Sequence, residues 1–362
     1  MKTIFMWGAG NVCRHFLRHL KKELPVQGIV DRDPALSHGT ICGIPIYAPI
    51  EAGATSAFEI CHAGGEHISL PPRDIVFVIT TYVYYISVKN YLESLGYETV
   101  FAYDLHEYTD VDWSALCRIH YDVPWEKNHA EIREARSILA DQRSVEIFDA
   151  LLEKRKQRVY DCTDIRSKYP QYLEMDLIPF RSDEMIVDCG AFRGGGLQLF
   201  KEHLGSWKMF HCFEPDADNF RILKETCKDY ERTTLHCAAV GDYDGVAYFS
   251  QGANAGGELQ QEREKGQRIE VCRLDSLGLP EVTYITADIE GSEMAMLEGG
   301  RRTIERHHPK LAICVYHKAA DLWEIPLWLK LVNRAYRIYL RHYGETAVDT
   351  VAYALPPQQS FG

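Results

Sequence analysis

The chain has 362 residues, 46% of them hydrophobic and 25% charged, with a formal net charge of -12. This is the composition of a globular protein with core enough for about two domains, and a surface so acidic is repelled by phosphate backbones, which argues against nucleic acid as a main partner. No apolar run approaches the roughly 20 residues of a membrane span. The N-terminus MKTIFMWGAG lacks a cleavable signal pattern, and the 11 cysteines never form C-x-x-C; a cytoplasmic, reduced protein without disulfides or structural zinc is expected.

In chain order, Thr3–Met6 reads as a strand leading to Gly8-Ala9-Gly10-Asn11 and a helix that carries Val12, Phe16, Leu17 and Leu20. Val26–Val30 is a second strand, ending at Asp31. Ile44–Tyr47 is a short extended piece, Asp74–Ile79 a buried strand, Ser87–Leu95 a helix and Thr99–Ala102 a strand. Alternating β and α elements over residues 1–104 imply a small Rossmann-like α/β domain with a parallel sheet. Residues 105–180 show no clear strand, and Trp125–Arg158 has apolar residues at helical spacing (Ile138, Val145, Phe148, Leu151, Leu152), as one or two helices of a linker or cap. The irregular stretch Tyr169–Pro179 either covers a ligand, shapes an acceptor pocket, or packs as plain linker.

Residues 181–362 form the third zone, a second α/β domain. Its strands read as Met185–Cys189, Lys208–Phe213, Thr234–Val240, Val282–Asp288, Leu311–Tyr316, Tyr336–Arg341 and Thr350–Ala354, with a helix at Pro326–Asn333. The run MIVDCGAFRGGG at Met185–Gly196 is an apolar strand ending in Asp188, then a glycine-rich turn with Gly190, Ala191 and Gly194. Glu214 closes the next strand, at the place where an acid accepts both ribose hydroxyls of a nucleoside. The turn is G-x-x-x-G-G, not G-x-G-x-x-G, so the expected ligand lacks a pyrophosphate. S-adenosylmethionine fits, with an adenosine, a carboxylate suited to a helix N-terminus and a sulfonium.

Asp288, Glu290 and Glu293 cluster beyond the fourth strand and His317 beyond the fifth, at the carboxyl edge where open α/β sheets bind ligands. Methyl transfer needs an acceptor atom about 3 Å from the methyl carbon and, where the acceptor is a hydroxyl, a base for its proton. Asp288, Glu290 and His317 are the catalytic candidates, with His317 as general base because its ordinary pKa is near neutral. Asp188 is expected to orient the glycine turn and reach the methionine amino group. A divalent metal on Asp288, Glu290 and His317 is chemically open, but no diagnostic ligand spacing indicates one.

The third zone resembles the FkbM family of S-adenosylmethionine-dependent methyltransferases. The resemblance rests on VDCGAFRGG (Val187–Gly195), FEP (Phe213–Pro215), AAVGD (Ala238–Asp242), RLDSL (Arg273–Leu277) and above all DIEGSEMAMLEGG (Asp288–Gly300). It implies a class I methyltransferase sheet and methylation of a hydroxyl on a sugar, a polysaccharide precursor or a natural product. It also implies an adenine contact at Ala239, Val240 and Asp242, and a cofactor contact at Asp288. N-methylation of an amino sugar stays open, because an amine can lose its proton to solvent. The first zone resembles the small Rossmann-type domain of PglD-like proteins through Gly8, Gly10, Asp31, Gly43 and Pro45, which implies nucleotide-sugar binding at Gly8, Gly10 and Asp31. Two rival readings are an NAD(P)-dependent oxidoreductase using the first glycine turn, disfavoured by Cys13 in place of the third glycine, and a decayed binding module. The expected partner is a small-molecule or glycan acceptor, nucleotide-linked or free; a homodimer is compatible with the sequence.

Overall fold

The computed structural model describes residues 2–50, 58–62, 67–111, 113, 125–249, 259–260 and 267–357. The chain divides into two compact units, one of residues 1–121, 158–163 and 344–347, the other of residues 122–157, 164–343 and 348–362. Among the described residues no helix is long and apolar enough to cross a membrane, and the described cysteines are all free thiols.

The first unit is built on β1 (Thr3–Trp7), β2 (Val26–Val30), β3 (Thr40–Ile41), β4 (Ile44–Ile50), β5 (Phe58–Cys61), β6 (His67–Leu70), β7 (Ile75–Ile79) and β8 (Glu98–Phe101). The sheet order is β6-β5-β4-β2-β1-β7-β8, with β3 paired to β4. The strands from β4 to β8 along this order run parallel, and their apolar runs bury Phe5, Trp7, Ile29, Val30, Phe77 and Ile79, as parallel strands covered on both faces require. The antiparallel extension β4-β5-β6 is not foreseen from sequence, since β5 and β6 have only four residues each. Gly8 has φ +101°, and the carboxylate of Asp31 pins this turn by accepting from the N–H of Ala9 at 2.6 Å, while its other oxygen accepts from the N–H of Asp33 at 2.9 Å in the loop after β2.

The second unit holds β9 (Met185–Cys189), β10 (Met209–Phe213), β11 (Thr233–His236), β12 (Ala239–Val240), β13 (Gly245–Phe249), β14 (Leu259–Gln260), β15 (Gln267–Cys272), β16 (Tyr284–Ala287), β17 (Lys310–Cys314), β18 (Arg337–His342) and β19 (Thr350–Leu355). Its main sheet runs β11-β10-β9-β16-β17-β19-β18. The first five strands are parallel, and β19 enters antiparallel to both neighbours. All five residues of β9 and of β17 are buried, so the layer is dry on both faces. A smaller sheet, β12-β15-β13-β14, lies beside it.

Two expected elements differ. The strand expected over Thr234–Val240 breaks at the exposed Cys237 into β11, in the main sheet, and β12, which pairs with β15. The last helix starts earlier than Pro326, at Asp321–Val332, with the proline inside it; burial of Leu322, Trp323, Ile325 and Leu329 outweighs the backbone hydrogen bond that proline forfeits. The helical stretch before the sheet resolves into His129–Ser137 and Gln142–Gln157, and the hydroxyl of Ser144 in the latter accepts from the Leu340 N–H in β18 at 2.9 Å.

One glycine fixes the crossing at the sheet's carboxyl edge. Gly190 follows β9 with φ +91°, and a Cβ added there would fall on the carbonyl oxygen of Asp288, well inside van der Waals contact. Backbone cannot yield as a flexible side chain does, so Gly190→Ala should destabilise the unit by about 3 kcal/mol or more. A denaturant melt showing less than about 1 kcal/mol of loss would contradict this packing.

Candidate active site

The carboxyl ends of β9, β10, β16 and β17, together with the turn after β12, gather four groups of predicted residues. The first is the turn after β9. Gly190 and Ala191 donate their N–H groups to the Phe213 carbonyl at 3.0 and 2.9 Å, tying the turn to the end of β10. Gly194, with φ +90°, caps the helix Gly195–Leu204 in a left-handed conformation that suits glycine. Asp188, at the end of β9, is buried and accepts from the Thr286 hydroxyl at 2.8 Å. Burial pushes its carboxyl up to about 6, against the pull of that hydrogen bond and helped by the charge of Asp288.

Glu214 stands just past β10 and is buried. Its Oε2 accepts from the N–H of Phe192 at 3.0 Å and its Oε1 from the N–H of Asp216 at 2.8 Å. A carboxylate has about four acceptor positions, so each oxygen keeps one for a ligand hydroxyl. Burial pushes Glu214 up to about 7, opposed by the two backbone N–H groups and reinforced by Asp216 and Asp188. Arg193, in the same turn, is exposed and donates to Asn219 at 3.0 Å.

Ala239 and Val240 are buried in β12, and Asp242 is exposed on the turn that follows. Gly299, at the end of the helix Glu293–Gly299, lies so close that an added Cβ would meet the Gly241 carbonyl. This backbone contact places the 240–242 turn beside the helix that begins at Glu293.

The fourth group is a carboxylate cluster around one imidazole. Asp288 follows β16 and His317 lies three residues past β17. His317 Nε2 is 3.2 Å from Asp288 Oδ1 and 3.5 Å from Glu290 Oε2, and its Nδ1 is 2.9 Å from Glu293 Oε1. The imidazole side chain is 1% exposed, against 32% for Asp288 and 21% for Glu290. Burial alone would lower the His317 pKa, but the charges and hydrogen bonds of Glu293 and Asp288 outweigh it and hold the ring well above its ordinary value. For Asp288 burial pushes up and is overcome by His317, Tyr316 and Tyr172, leaving the carboxyl below its usual range. Tyr316 donates to Asp288 Oδ1 at 3.0 Å and Tyr172 to Oδ2 at 3.3 Å. Nearby, burial and the charge of Glu293 raise Asp321 to about 7, and burial and the charge of Asp288 raise Asp349 to about 6.

Sequence reasoning does not single out Tyr172. It sits in the Tyr169–Pro179 stretch, in a left-handed conformation of φ +68° that is costly for a tyrosine. Its carbonyl accepts from the Tyr284 hydroxyl at 2.7 Å and its N–H donates to the Tyr353 hydroxyl at 3.2 Å. The surrounding sheet thus fixes the strained backbone and turns the ring toward Asp288. Gly8, Gly10 and Asp31 lie in the first unit, at the carboxyl ends of β1 and β2; Asp31 Oδ2 holds the glycine turn through the Ala9 N–H and Oδ1 accepts from Asp33 in its own loop, and nothing lies within 4 Å of a Cβ added at Gly10.

Five parallel strands followed by an inserted antiparallel pair, with acids gathered at the carboxyl edge, define a class I methyltransferase fold. Residues 188–344 match the methyltransferase FkbM domain, which covers Asp188, Glu214, Asp288 and His317 and supports methyl transfer as the activity. The crystal structure of a methyltransferase FkbM from Methylobacillus flagellatus KT superposes with a TM-score of 0.65 at 22% identity, covering 98% of this chain and 90% of that one. An rRNA methylase from Streptococcus thermophilus aligns over 49% of this chain and 89% of its own, at 13% identity and a TM-score of 0.32. Aeropyrum pernix fibrillarin, solved with natively bound S-adenosyl-L-methionine, aligns over 49% of this chain and 70% of its own, at 12% identity and a TM-score of 0.33. Comparison with curated proteins gives no match.

Proposed function

We propose that the second unit transfers a methyl group from S-adenosylmethionine to a hydroxyl of a sugar or related polyol. The observation that carries this reading is the pairing of a ribose-type acid, Glu214, with an acid cluster at the neighbouring carboxyl edge, both built around the turn that Gly190 closes. Glu214 accepts the ribose hydroxyls, the N-terminus of the helix Gly195–Leu204 faces the methionine carboxylate, and Asp188 supports the turn and reaches the amino group. Ala239, Val240 and Asp242 line the adenine end.

The methyl carbon passes from sulfur to the acceptor oxygen. The C–S electron pair stays on sulfur, a C–O bond forms, and the hydroxyl proton must leave. A general base has to come within hydrogen-bond reach of that proton. The expected base, His317, is poorly placed to receive it, because its side chain is 1% exposed and both ring nitrogens face carboxylates. Asp288, half-buried, is the most accessible member of the cluster and takes the proton in this reading, while His317 positions Asp288 and Glu290. Tyr172 and Tyr316 fix the Asp288 carboxylate. In the first unit, Gly8, Gly10 and Asp31 lie at the edge where β1 and β7 pair and the chain order reverses. In such sheets this is the ligand crevice, so a nucleotide-linked sugar is assigned to it as a ligand of that unit.

The test is incubation of the intact chain with methyl-labelled S-adenosylmethionine and a panel of free sugars, nucleotide-linked sugars and amino sugars. Label on oxygen supports the reading; label confined to nitrogen replaces it with N-methylation. Cofactor binding should also depend on pH. The ribose hydroxyls donate to the ionised form of Glu214, so affinity for S-adenosylhomocysteine should rise from pH 6 to 8 and fall by up to about tenfold per unit below pH 7. Calorimetric titrations flat across this window would contradict the ribose assignment.

A further inference from the structure

We propose that Glu293 is a positioning residue for methyl transfer: it keeps His317 doubly protonated, so that the Nε2–H clamps Asp288 Oδ1 and leaves Oδ2 to take the acceptor's proton. The role rests on the methyl-transfer reading; the arrangement of the three side chains rests on geometry.

The turn after β16 delivers Glu293 to the ring. Glu290 and Gly291 are both left-handed, with φ +57° and +95°. A Cβ added at Gly291 would come within 3.1 Å of Lys318 Cε and 3.7 Å of His317 Cβ, so the turn lies against the segment that follows β17. Glu293 opens the next helix, and its Oε1 reaches back to accept from the Ile289 N–H at 2.9 Å. The same oxygen lies 2.9 Å from His317 Nδ1, with both side chains 1% exposed, so water does not compete for this bond.

Both ring nitrogens face carboxylate oxygens. Nδ1 faces Glu293, while Nε2 faces Asp288 Oδ1 at 3.2 Å and Glu290 Oε2 at 3.5 Å. A neutral imidazole has one N–H and one lone pair, so it would present that lone pair to a carboxylate on one side. The imidazolium satisfies both sides. Burial works against its charge, and Glu293 followed by Asp288 outweighs the burial. Tyr316 lies against the ring, with centroids 4.1 Å apart. Asp321 and Asp349, raised by burial to about 7 and about 6, also face the charge and are themselves lowered by it. Lys318, whose stem crosses Gly291, is exposed.

The clamp decides which Asp288 oxygen is free. Oδ1 accepts from Tyr316 at 3.0 Å and from His317 at 3.2 Å, which fills its two lone-pair positions. Oδ2 accepts from Tyr172 at 3.3 Å and keeps one position. In the transfer the C–S electron pair stays on sulfur, the C–O bond forms, and the hydroxyl proton moves to Oδ2. His317 and Glu293 exchange no proton in this step.

Glu293→Gln separates this role from packing. The amide keeps the shape, and the Ile289 N–H holds its oxygen in the Oε1 position, so the Nδ1–H keeps an acceptor. The proton that the ring then loses, nearer its ordinary pKa of about 6.5, is the one on Nε2, and the clamp goes with it. A ring whose pKa is raised in the wild type holds its charge as pH rises through neutrality; the variant does not.

The experiment is ¹⁵N NMR of the histidine-labelled intact chain from about pH 6 to 9. It is paired with single-turnover transfer, at saturating methyl-labelled S-adenosylmethionine, to the sugar of the panel above that accepts label. His317, assigned by the signal lost in His317→Asn, should stay doubly protonated to about pH 8 in the wild type and titrate near pH 7 in Glu293→Gln. Methyl transfer should be flat from about pH 6 to 8 in the wild type and fall about tenfold over that range in the variant. A neutral His317 in the wild type at about pH 7.5 overturns the proposal whatever the variant's stability. A loss of equal size at every pH makes Glu293 a packing residue and overturns it too. A charged ring in a wild-type chain that labels nothing in the panel strikes the methyl-transfer reading, and the role of Glu293 with it, while leaving the ring's charge established.

Discussion

Asp288→Asn should lower kcat by about 10²- to 10⁴-fold, the usual span for loss of a positioned proton acceptor, and leave affinity for S-adenosylhomocysteine within a few-fold of wild type. The substitution keeps the side-chain volume, so the stack of β16 between β9 and β17 has no reason to repack. What changes is charge and proton affinity. Asp288 is the side chain on which Tyr172, Tyr316 and His317 converge, and an amide there cannot take a hydroxyl proton. Single-turnover methyl transfer measures the loss, and calorimetry with the product cofactor verifies the binding site. A variant with near-normal kcat would remove Asp288 from the chemistry; a variant that loses cofactor affinity instead would make Asp288 a cofactor ligand.

Glu214→Ala should weaken cofactor binding by about 10²- to 10⁴-fold. Each hydrogen bond to a charged acceptor contributes about 1.5–3 kcal/mol, and the two ribose hydroxyls lose theirs together. The same change leaves the N–H groups of Phe192 and Asp216 without the acceptor that now holds them at 3.0 and 2.8 Å. Phe192 is already in a left-handed conformation, φ +49°, so the turn that frames the site loosens as well. Glu214→Gln keeps one acceptor oxygen and should fall between wild type and alanine. Equal affinity in all three proteins would mean that this acid serves only the turn.

Much of the second unit can be read from the sequence because its strands are continuous apolar runs punctuated by glycine and acid. Asp188 is the penultimate residue of β9, Glu214 follows β10, Asp288 follows β16 and His317 lies just past β17, each near the end of a strand visible as an apolar run. The small sheet is less legible. Its register comes from pairing β12 with β15, a contact decided by tertiary packing rather than by the pattern of either segment. The same holds for the break between β11 and β12 at Cys237.

Burial accounts for the difference at His317. Position at a strand edge suggests an accessible base, but the sequence carries no sign that Glu293, the first residue of its helix and itself buried, closes over Nδ1. Tyr172 reaches Asp288 from 116 positions earlier in the chain. A segment before the sheet can be suspected of covering the edge, but which of its side chains arrives depends on the strained backbone that Tyr284 and Tyr353 hold. In the first unit the glycine turn and Asp31 are legible, whereas the use of both Asp31 oxygens on backbone N–H groups emerges only from the fold.

The most direct test is calorimetric titration of the intact protein with S-adenosylhomocysteine, with NAD and a nucleotide-linked sugar as parallel ligands. Binding of S-adenosylhomocysteine that is lost in Glu214→Ala is the expected result. Absence of that binding, with NAD bound instead, would contradict the methyl-transfer assignment and move the chemistry to the turn at Gly8–Gly10.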